Sequence, residues 1–334
     1  MSGANLTTTG NERGVAAGRS LTRSTPDKMG QSSCRGHPMN KPIVIIGGAS
    51  LDTIIQLDAL PTPTPQTLWP RSSYKSVGST GAGKALNLAA LGRRVVLHSL
   101  LGQDTEADLV RHALNKPGIE LIAEITNTPT EQHVNLMDPQ GGRVSLFVQP
   151  PADPSGVDWA PVTSAISGCE LVVINILSYA KPALALAKNA NKPVWTDLHD
   201  YDGRNPHHQP FIDAATVIFL SSDNLPDYRR FMKRIIDDGK ELVVCTHGSD
   251  GATLLSRDGQ WLEQPAFPVG RVQDTNGAGD AFFSGFLCGH LNGENLQTCL
   301  HLGAVCGALC VTSQSLAAEN LSLQRLHDHL REGG

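Results

Sequence analysis

The sequence is poor in aromatic residues, which make up 5% of it, and in charged residues, which make up 18%. It also lacks a basic excess, because 27 lysines and arginines face 32 acidic residues and leave a net charge of −5. Residues 1–40 hold five of the basic and two of the acidic residues, so the remainder has a net charge of −8. This charge disfavours any function that relies on attraction to nucleic acid, and no nucleic-acid partner is expected.

Paired cysteines are missing too. None of the seven cysteines forms a Cys-x-x-Cys pair, and most lie in apolar runs such as residues 304–311. This is typical of small buried side chains in a reducing compartment. His207 and His208 have no cysteine or carboxylate at the spacing of a zinc site, so no metal-ligating residues are predicted.

Long apolar runs are absent. The two longest, residues 281–291 and 299–311, contain His290 and His301 and fall short of the ~18 residues that span a bilayer. Residues 1–40 have no apolar stretch typical of a secretory signal, and their Ser/Thr/Gly/Arg-rich composition predicts a disordered N-terminal extension. We therefore expect a cytoplasmic protein with no membrane partner and one ordered domain over residues 41–334.

From residue 41 onward, short β-branched runs alternate with helical patterns. This alternation predicts an α/β fold with a doubly wound, mostly parallel sheet flanked by helices. The predicted strands are residues 42–46, 95–100, 171–176, 193–196, 216–220 and 242–246. The predicted helices are residues 84–91, 105–114, 181–189, 227–237, 280–291 and 296–311.

Two regions break the alternation. Residues 131–137 and 143–149 flank a turn-rich segment and predict a hairpin, and residues 51–60 and 68–77 flank a proline-rich loop in the same way. Together they predict a small accessory β-sheet, with strands roughly within residues 51–78 and 130–150.

The strongest chemical signal is the segment 274–280, Asp-Thr-Asn-Gly-Ala-Gly-Asp, followed at once by an apolar helical pattern. Glycines before a helix let backbone N–H groups converge, and the helix N-terminus adds about half a positive charge, so an anion site is expected. Asp280 can cap the helix, or it can take a proton from a hydroxyl beside a bound phosphate. The combination suits phosphoryl transfer, although a glycine motif of this length also fits a capped helix after a tight turn.

A second glycine-rich segment, residues 81–87, opens another helix. Residues 78–84 fit the start of a P-loop, but Ala85 stands where a P-loop needs a hydroxyl for Mg²⁺. A dinucleotide-binding fingerprint fails as well, because Phe282 occupies its third glycine position.

Residues 274–286 (DTNGAGDAFFSGF) resemble the C-terminal signature of the ribokinase-like (PfkB) carbohydrate kinases, and residues 82–87 (AGKALN) resemble their N-terminal signature. Weaker matches lie in the family's order at residues 47–52, 101–104 and 246–251. The resemblance covers about residues 41–316. It implies a large α/β domain with a small β-sheet lid, and the phosphorylation of a hydroxyl group of a small sugar or sugar derivative by ATP with Mg²⁺.

The resemblance also implies roles for single residues. Asp280 corresponds to the catalytic base. Gly277, Ala278 and Gly279 correspond to the anion hole that stabilises charge on the transferring group. The expected acceptor-binding residues are Asp52, Gly83, Lys84, Asn87 and Asn175, and the expected nucleotide-binding residues are Thr246, Gly248, Gly251, Asp274, Thr275 and Asp223.

Some positions depart from the family pattern. Residues 221–225 (SSDNL) stand where the family has Asn-x-x-Glu, so Asp223 is the expected substitute near Mg²⁺. Some ribokinases place a carboxylate over the sugar. The comparable position in this sequence is Leu177, with Asn175 nearby. Residues 311–315 lack the glycine common at the monovalent-cation site, which leaves K⁺ open as a further cofactor. The partner is expected to be a sugar-like small molecule, and the exposed lids of this family suggest a homodimer through the lid.

Two alternatives remain at this stage. A nucleoside kinase acting on adenosine-like acceptors would need an apolar slot for the base, for which the predicted lid offers Leu136, Met137, Phe147 and Trp69. A binding protein without turnover would keep the same ligand site, and the altered segment 221–225 motivates this second alternative.

Overall fold

The computed structural model describes residues 41–270 and 272–332. The predicted disordered extension over residues 1–40 lies outside the described residues. No helix within these two ranges is long and apolar enough to cross a membrane.

The main sheet has nine strands and is mostly parallel, with antiparallel pairing only for β12 and β13 at one edge. In spatial order its strands are β13 (Trp261–Gln264), β12 (Ala252–Ser256), β11 (Leu242–Thr246), β10 (Val217–Ser221), β9 (Val194–Asp197), β8 (Val172–Ile174), β1 (Ile43–Ile46), β4 (Val95–Leu101) and β5 (Ile119–Ile125).

Helices cover both faces of this sheet. The first face carries α1 (Thr80–Ala90), α2 (Thr105–Leu114), α7 (Ala278–Leu291) and α8 (Leu296–Cys310), with α9 (Leu323–Glu332) packed against α8. The second face carries α3 (Ala160–Gly168), α4 (Lys181–Asn189), α5 (Gln209–Ala214) and α6 (Tyr228–Asp237).

The central strands are apolar without interruption because both of their faces are covered. In β1, Ile43 and Ile45 enter the core on the first face, whereas Val44 and Ile46 enter the core on the second. This alternation follows from the two-residue period of a strand, and it explains why β1 is completely buried.

A separate four-stranded sheet, which we call the lid, has the order β3 (Ser72–Gly78), β2 (Ser50–Gln56), β6 (Gln132–Met137) and β7 (Arg143–Gln149). Strand β2 pairs with β3 antiparallel and with β6 parallel. The predicted doubly wound sheet and accessory sheet are both confirmed.

Several elements were not predicted from the sequence. Strand β5 carries two glutamates among its apolar residues and lies at the sheet edge, where one side is solvated. The antiparallel pair β12 and β13 follows the parallel strands without an intervening helix, so the expected alternation did not suggest it.

Candidate active site

The carboxyl ends of the parallel strands share one edge of the sheet, which is where ligands bind in open α/β folds. Gly47 follows β1, Asn175 follows β8, and Asp197 ends β9. Ser221 and Thr246 end β10 and β11 and are paired in register. This edge therefore collects most of the residues that the sequence singled out.

Helix α7 begins at this edge with backbone amides available to a ligand. Gly277 has a φ of 79°, a left-handed conformation that favours glycine. Within the described residues, no group accepts a hydrogen bond from the N–H of Gly277, Gly279 or Asp280. A Cβ on Gly279 would meet no atom within 4 Å, so open space adjoins Gly279. The helix start is thus suited to hold an anion.

The side chain of Asp280 enters a buried ionic cluster, which we define as Lys84, Asp197 and Asp280. The Lys84 ammonium is completely buried and donates to Asp280 Oδ1 at 2.5 Å and to Asp197 Oδ2 at 3.1 Å. It also lies 4.9 Å from the centre of the Phe283 ring. Since Lys84 occupies Oδ1, the other oxygen of Asp280 is the one left for a proton from a ligand.

The two carboxylates of the cluster respond differently to their surroundings. Burial raises the pKa of Asp280, although the charge and hydrogen bond of Lys84 oppose this effect. Burial acts on Asp197 in the same sense, but the charges of His199 and Lys84 outweigh it and hold the pKa of Asp197 well below its usual value. Of the two carboxylates, Asp280 is therefore the better proton acceptor.

Gly83, Lys84 and Asn87, which are expected to bind the acceptor, belong to α1, and Gly83 packs against Asp280. An ideal Cβ on Gly83 would lie 2.5 Å from Asp280 Oδ2, so glycine is needed for the carboxylate to approach. Asn87 is completely buried and donates to the carbonyls of Gly83 and Leu316 at 2.8 and 2.7 Å. Lys84 and Asn87 are both buried and have partners inside the protein, and their expected contact with an acceptor stays a prediction.

Asp52 lies on the inner face of the lid in a second buried polar cluster. Its carboxylate accepts from Ser50 Oγ at 2.6 Å and from Asn135 Nδ2 at 3.1 Å. His133 Nδ1 lies 3.3 Å from Asp52 Oδ1, and His133 Nε2 lies 2.8 Å from Glu131 Oε1. Ser50, Asn135 and His133 hold this carboxylate in position. Asp52 is only 2% exposed, so its expected contact with an acceptor hydroxyl stays a prediction.

The position of His133 between two carboxylates makes the lid sensitive to pH. Burial lowers the pKa of His133, but hydrogen bonds and charges from Asp52 and Glu131 outweigh it and raise the pKa from 6.5 to about 9. Because the folded-state pKa is the higher one, the bound proton stabilises the fold fully below pH 6.5, and this contribution is lost as the pH rises through about 9.

We therefore expect the free energy of unfolding to fall by roughly 2–3 kcal/mol between pH 6.5 and pH 9.5 through His133. Urea unfolding at several pH values measures this loss. A His133→Gln variant cannot take up the proton and should be less stable than the wild type at pH 6.5 and close to it at pH 9.5. Parallel pH curves for the two proteins would contradict the prediction.

Asn175 faces the start of α1 rather than open space. Its side-chain amide donates to Thr80 Oγ1, and its Oδ1 is buried with no hydrogen-bond partner among the described residues. Gly47 packs against it, since a Cβ there would lie 3.1 Å from Asn175 Oδ1. Asn175 thus connects β8 with the helix that carries Gly83 and Lys84.

The turn after β11 adjoins the loop after β10. Ser222 N donates to the carbonyl of Thr246 at 3.0 Å, and Asp223 is exposed in the same loop. Gly248 and Gly251 have φ values of 55° and 102°. A Cβ on Gly251 would lie 2.0 Å from the Gln264 carbonyl, so β13 passes too close for any other side chain.

His247 connects these two loops through side-chain hydrogen bonds. Its Nδ1 lies 2.9 Å from Ser222 Oγ, and its Nε2 lies 2.9 Å from Thr253 Oγ1. The Thr253 hydroxyl donates to Glu263 at 2.7 Å, so it accepts from His247 Nε2. The neutral ring therefore carries its proton on Nε2 and accepts from Ser222 on Nδ1.

The lid touches the glycine-rich loop at several points. Tyr74 donates to Asp274 Oδ2 at 2.6 Å, and burial together with this bond raises the pKa of Tyr74. Thr275 Oγ1 donates to the Gly141 carbonyl at 3.3 Å, and Arg143 donates to Asn276 Oδ1 at 3.1 Å. Asp274 and Thr275 thus connect the glycine-rich loop with the lid, and their expected contact with the nucleotide stays a prediction.

Three residues at the site were given no role from the sequence: Asp197, His133 and Tyr74. Asp197 ends a buried strand, and this position was the signal that could have identified it. His133 and Tyr74 lie on strands with alternating polarity. The pairing of β2 with β6 brings His133 to Asp52, and the contact of the lid with the glycine-rich loop brings Tyr74 to Asp274.

Comparisons with known proteins agree on one family. The profile described as pfkB family carbohydrate kinase matches residues 212–322. The acarbose 7(IV)-phosphotransferase of Actinoplanes sp. is 35% identical over 274 residues, which cover 81% of this chain and 92% of that protein. The 5-dehydro-2-deoxygluconokinase of Clostridium perfringens is 25% identical over 78% of this chain and 86% of that protein.

Solved structures agree with the sequence relatives. A microbiome-derived acarbose kinase superposes with a TM-score of 0.78 and 28% identity, covering 87% of this chain and 99% of that chain. Nucleoside kinases are also among the sequence relatives. One is the cytidine kinase of Thermococcus kodakarensis, which is 24% identical over 78% of this chain and 92% of that protein.

Proposed function

The chain belongs to the pfkB family of carbohydrate kinases and is a phosphotransferase with an alcohol group as acceptor, and from this premise we propose that Asp280 is its general base. The observation that carries the proposal is the position of Asp280 in the first turn of α7, where the N–H groups of Gly277, Gly279 and Asp280 have no acceptor among the described residues. A proton acceptor and an anion site side by side are what phosphoryl transfer to a hydroxyl requires.

Asp280 acts through one oxygen. Lys84 holds Oδ1, which leaves Oδ2 to accept the proton of the acceptor hydroxyl. The raised pKa of Asp280 favours uptake of this proton, because efficient general bases have a pKa nearer to the working pH than that of an ordinary carboxylate. Gly83 and Asn87 support this geometry from α1, and neither needs to touch the acceptor.

ATP, when bound, supplies the phosphoryl group, and Mg²⁺ neutralises part of its charge. Gly277, Ala278 and Gly279 form the anion hole in this proposal. The N–H groups of Gly277 and Gly279 have no acceptor among the described residues, whereas that of Ala278 donates to the Thr275 carbonyl at 3.3 Å. Thr246, Gly248 and Gly251 line the nucleotide side. Asp223 is an exposed carboxylate there, which fits Mg²⁺ because this ion keeps several waters and needs only one or two protein carboxylates.

The acceptor lies under the lid in this proposal. Asp52 is the hydroxyl-binding carboxylate, and Asn135 and His133 hold it in place. The Phe147 ring, whose centre lies 4.1 Å from that of His133, offers an apolar surface for a sugar ring. The relatives named above make acarbose and 5-dehydro-2-deoxygluconate the first acceptors to test.

The proposal is tested by measuring ADP release with ATP and Mg²⁺ over a panel of acceptors. The panel contains acarbose, 5-dehydro-2-deoxygluconate, ribose, fructose, adenosine and cytidine, each against a blank without acceptor. We expect acceptor-dependent ADP release with at least one sugar or sugar derivative. ADP release equal to the blank throughout, with ATP bound, would support the binding protein without turnover. Repeating the assay with and without KCl tests the K⁺ requirement.

A nucleoside kinase is the second candidate. The observation that favours it is the exposure of Phe147, which is 57% accessible on β7 next to His133 and leaves a ring face for a base. A higher kcat/KM for adenosine or cytidine than for every sugar in the panel would establish this alternative.

We also propose that the protein forms a homodimer through the lid. Val144, Leu146 and Val148 are 38%, 47% and 58% exposed on one face of β7, the edge strand of the lid. A second lid would cover this apolar face and the unpaired strand edge. We expect Leu146→Asp to convert a dimer to a monomer in sedimentation velocity. Leu109→Asp, at an exposed leucine of α2, is the control. A wild type that sediments as a monomer at all concentrations would contradict the proposal.

A further inference from the structure

The buried ionic cluster contains one more carboxylate than its single cation needs before the reaction. Lys84 pairs with both Asp197 and Asp280, so the cluster carries a net charge of −1 when all three groups are ionised. The ammonium is completely buried, so water cannot compensate its charge. An uncompensated buried cation is strongly unfavourable.

The net charge of the cluster changes when Asp280 takes up the acceptor proton. The acceptor O–H bond breaks and its proton goes to Asp280. The hydroxyl oxygen forms the new O–P bond, and ADP leaves with the electron pair of the broken P–O bond. Asp280 is then neutral, and the remaining partner of Lys84 is Asp197 at 3.1 Å.

We propose that Asp197 is a positioning residue of the reaction, which holds and neutralises Lys84 so that the cluster has no net charge once Asp280 has taken up the acceptor proton. The inference rests on the proposed function, because it assumes that Asp280 is the general base. Asp197 itself is held by the backbone, since its Oδ1 accepts from His199 N at 3.0 Å.

The charged and titratable groups facing Asp280 come from three elements. Lys84 belongs to α1, Asp197 and His199 come from the end of β9 and the residues after it, and Cys310 belongs to α8. Burial raises the pKa of the Cys310 thiol to about 12, so this group stays neutral in the working range. The charges that can change the pKa of Asp280 are therefore those of Lys84, Asp197 and His199.

Two substitutions should shift the pH profile in opposite directions. Asp197→Asn removes a negative charge near Asp280, so the acidic limb of kcat should move to lower pH by about one unit while the plateau falls at least about tenfold. Lys84→Met removes the positive charge, so the acidic limb should move to higher pH. A merely structural role would lower the plateau in both variants without opposite shifts.

A double-substituted protein gives a further readout. In Asp197→Asn alone, proton uptake by Asp280 leaves Lys84 as an unpaired buried cation. The double variant Asp197→Asn/Lys84→Met has no such cation, so its kcat should exceed that of Asp197→Asn even though it carries one more substitution. Asp197→Glu retains the charge and should restore part of the activity.

The experiment measures kcat from pH 4.5 to 9 for the full-length wild type and these variants, with circular dichroism and thermal unfolding as checks of the fold. Asparagine at position 197 can still accept from His199 N, so Asp197→Asn is expected to fold. If the Lys84 variants do not fold, the Asp197→Asn and Asp197→Glu profiles decide. An active wild type with kcat and acidic limb unchanged in Asp197→Asn overturns the inference alone. An Asp280→Asn variant as active as the wild type overturns the proposed function.

Discussion

Asp280→Asn should leave a folded protein that binds ATP but turns over about 10²- to 10⁴-fold more slowly than the wild type. The amide has nearly the shape of the carboxylate and can still accept from Lys84 through its oxygen. It cannot take a proton from the acceptor hydroxyl, and this step contributes the stated factor. ADP release with a saturating acceptor measures the loss.

The Lys84 charge explains why the fold should survive this change. Without a charged Asp280, the buried ammonium still has Asp197 at 3.1 Å, so no buried cation is left alone. Asp108→Asn is a suitable control, because its carboxylate is 78% exposed and pairs with Arg111 on the surface of α2. Wild-type turnover in Asp280→Asn, or equal losses in the two variants, would exclude Asp280 as the base.

The sequence predicted the architecture because its signals are local. Buried strands such as β1 are continuous apolar runs, and the alternation of strands with helices determines a parallel sheet. The glycines around Gly277 are also readable, because a left-handed turn before a helix restricts the residues that can occupy it.

Contacts between distant residues could not be predicted in the same way. The sequence around residues 84, 197 and 280 does not predict that the Lys84 ammonium lies between two carboxylates. The three residues belong to separate elements, α1, β9 and α7, which meet only in the folded protein. The same holds for Tyr74 and Asp274, which are 200 residues apart and meet only because the lid folds over the glycine-rich loop. For Lys84 and Asn87, sequence resemblance implied contact with the acceptor but did not indicate the partners within the protein that the structure shows.

Gly83→Ala is the second substitution with a large expected effect. An ideal Cβ on residue 83 would lie 2.5 Å from Asp280 Oδ2 and 3.0 Å from Asp280 Cβ and Cγ, so the carboxylate must move. Alanine favours helix α1 by roughly 1 kcal/mol relative to glycine, so the helix itself should persist. A displacement of about 1 Å at a reacting group can cost about 10²-fold in rate, and we expect a loss of that order in kcat.

Gly168→Ala is the matched control, because a Cβ there meets nothing within 4 Å and the residue ends another helix, α3. It should have wild-type kcat. For Gly83→Ala, circular dichroism and thermal unfolding separate a displaced carboxylate from an unfolded protein, and ATP affinity by calorimetry should be unchanged. Equal kcat values for the two variants would show that Asp280 can move away from residue 83 without consequence.

The combination of Gly83→Ala with Asp280→Asn decides how the glycine acts. If Gly83 matters because it gives space to the proton-accepting carboxylate, the double variant should be no slower than Asp280→Asn alone, since there is no general base left to displace. If the two losses multiply, Gly83 contributes through a separate contact, such as the direct acceptor contact expected from the sequence. The same measurement therefore distinguishes a residue that serves the base from one that binds the acceptor.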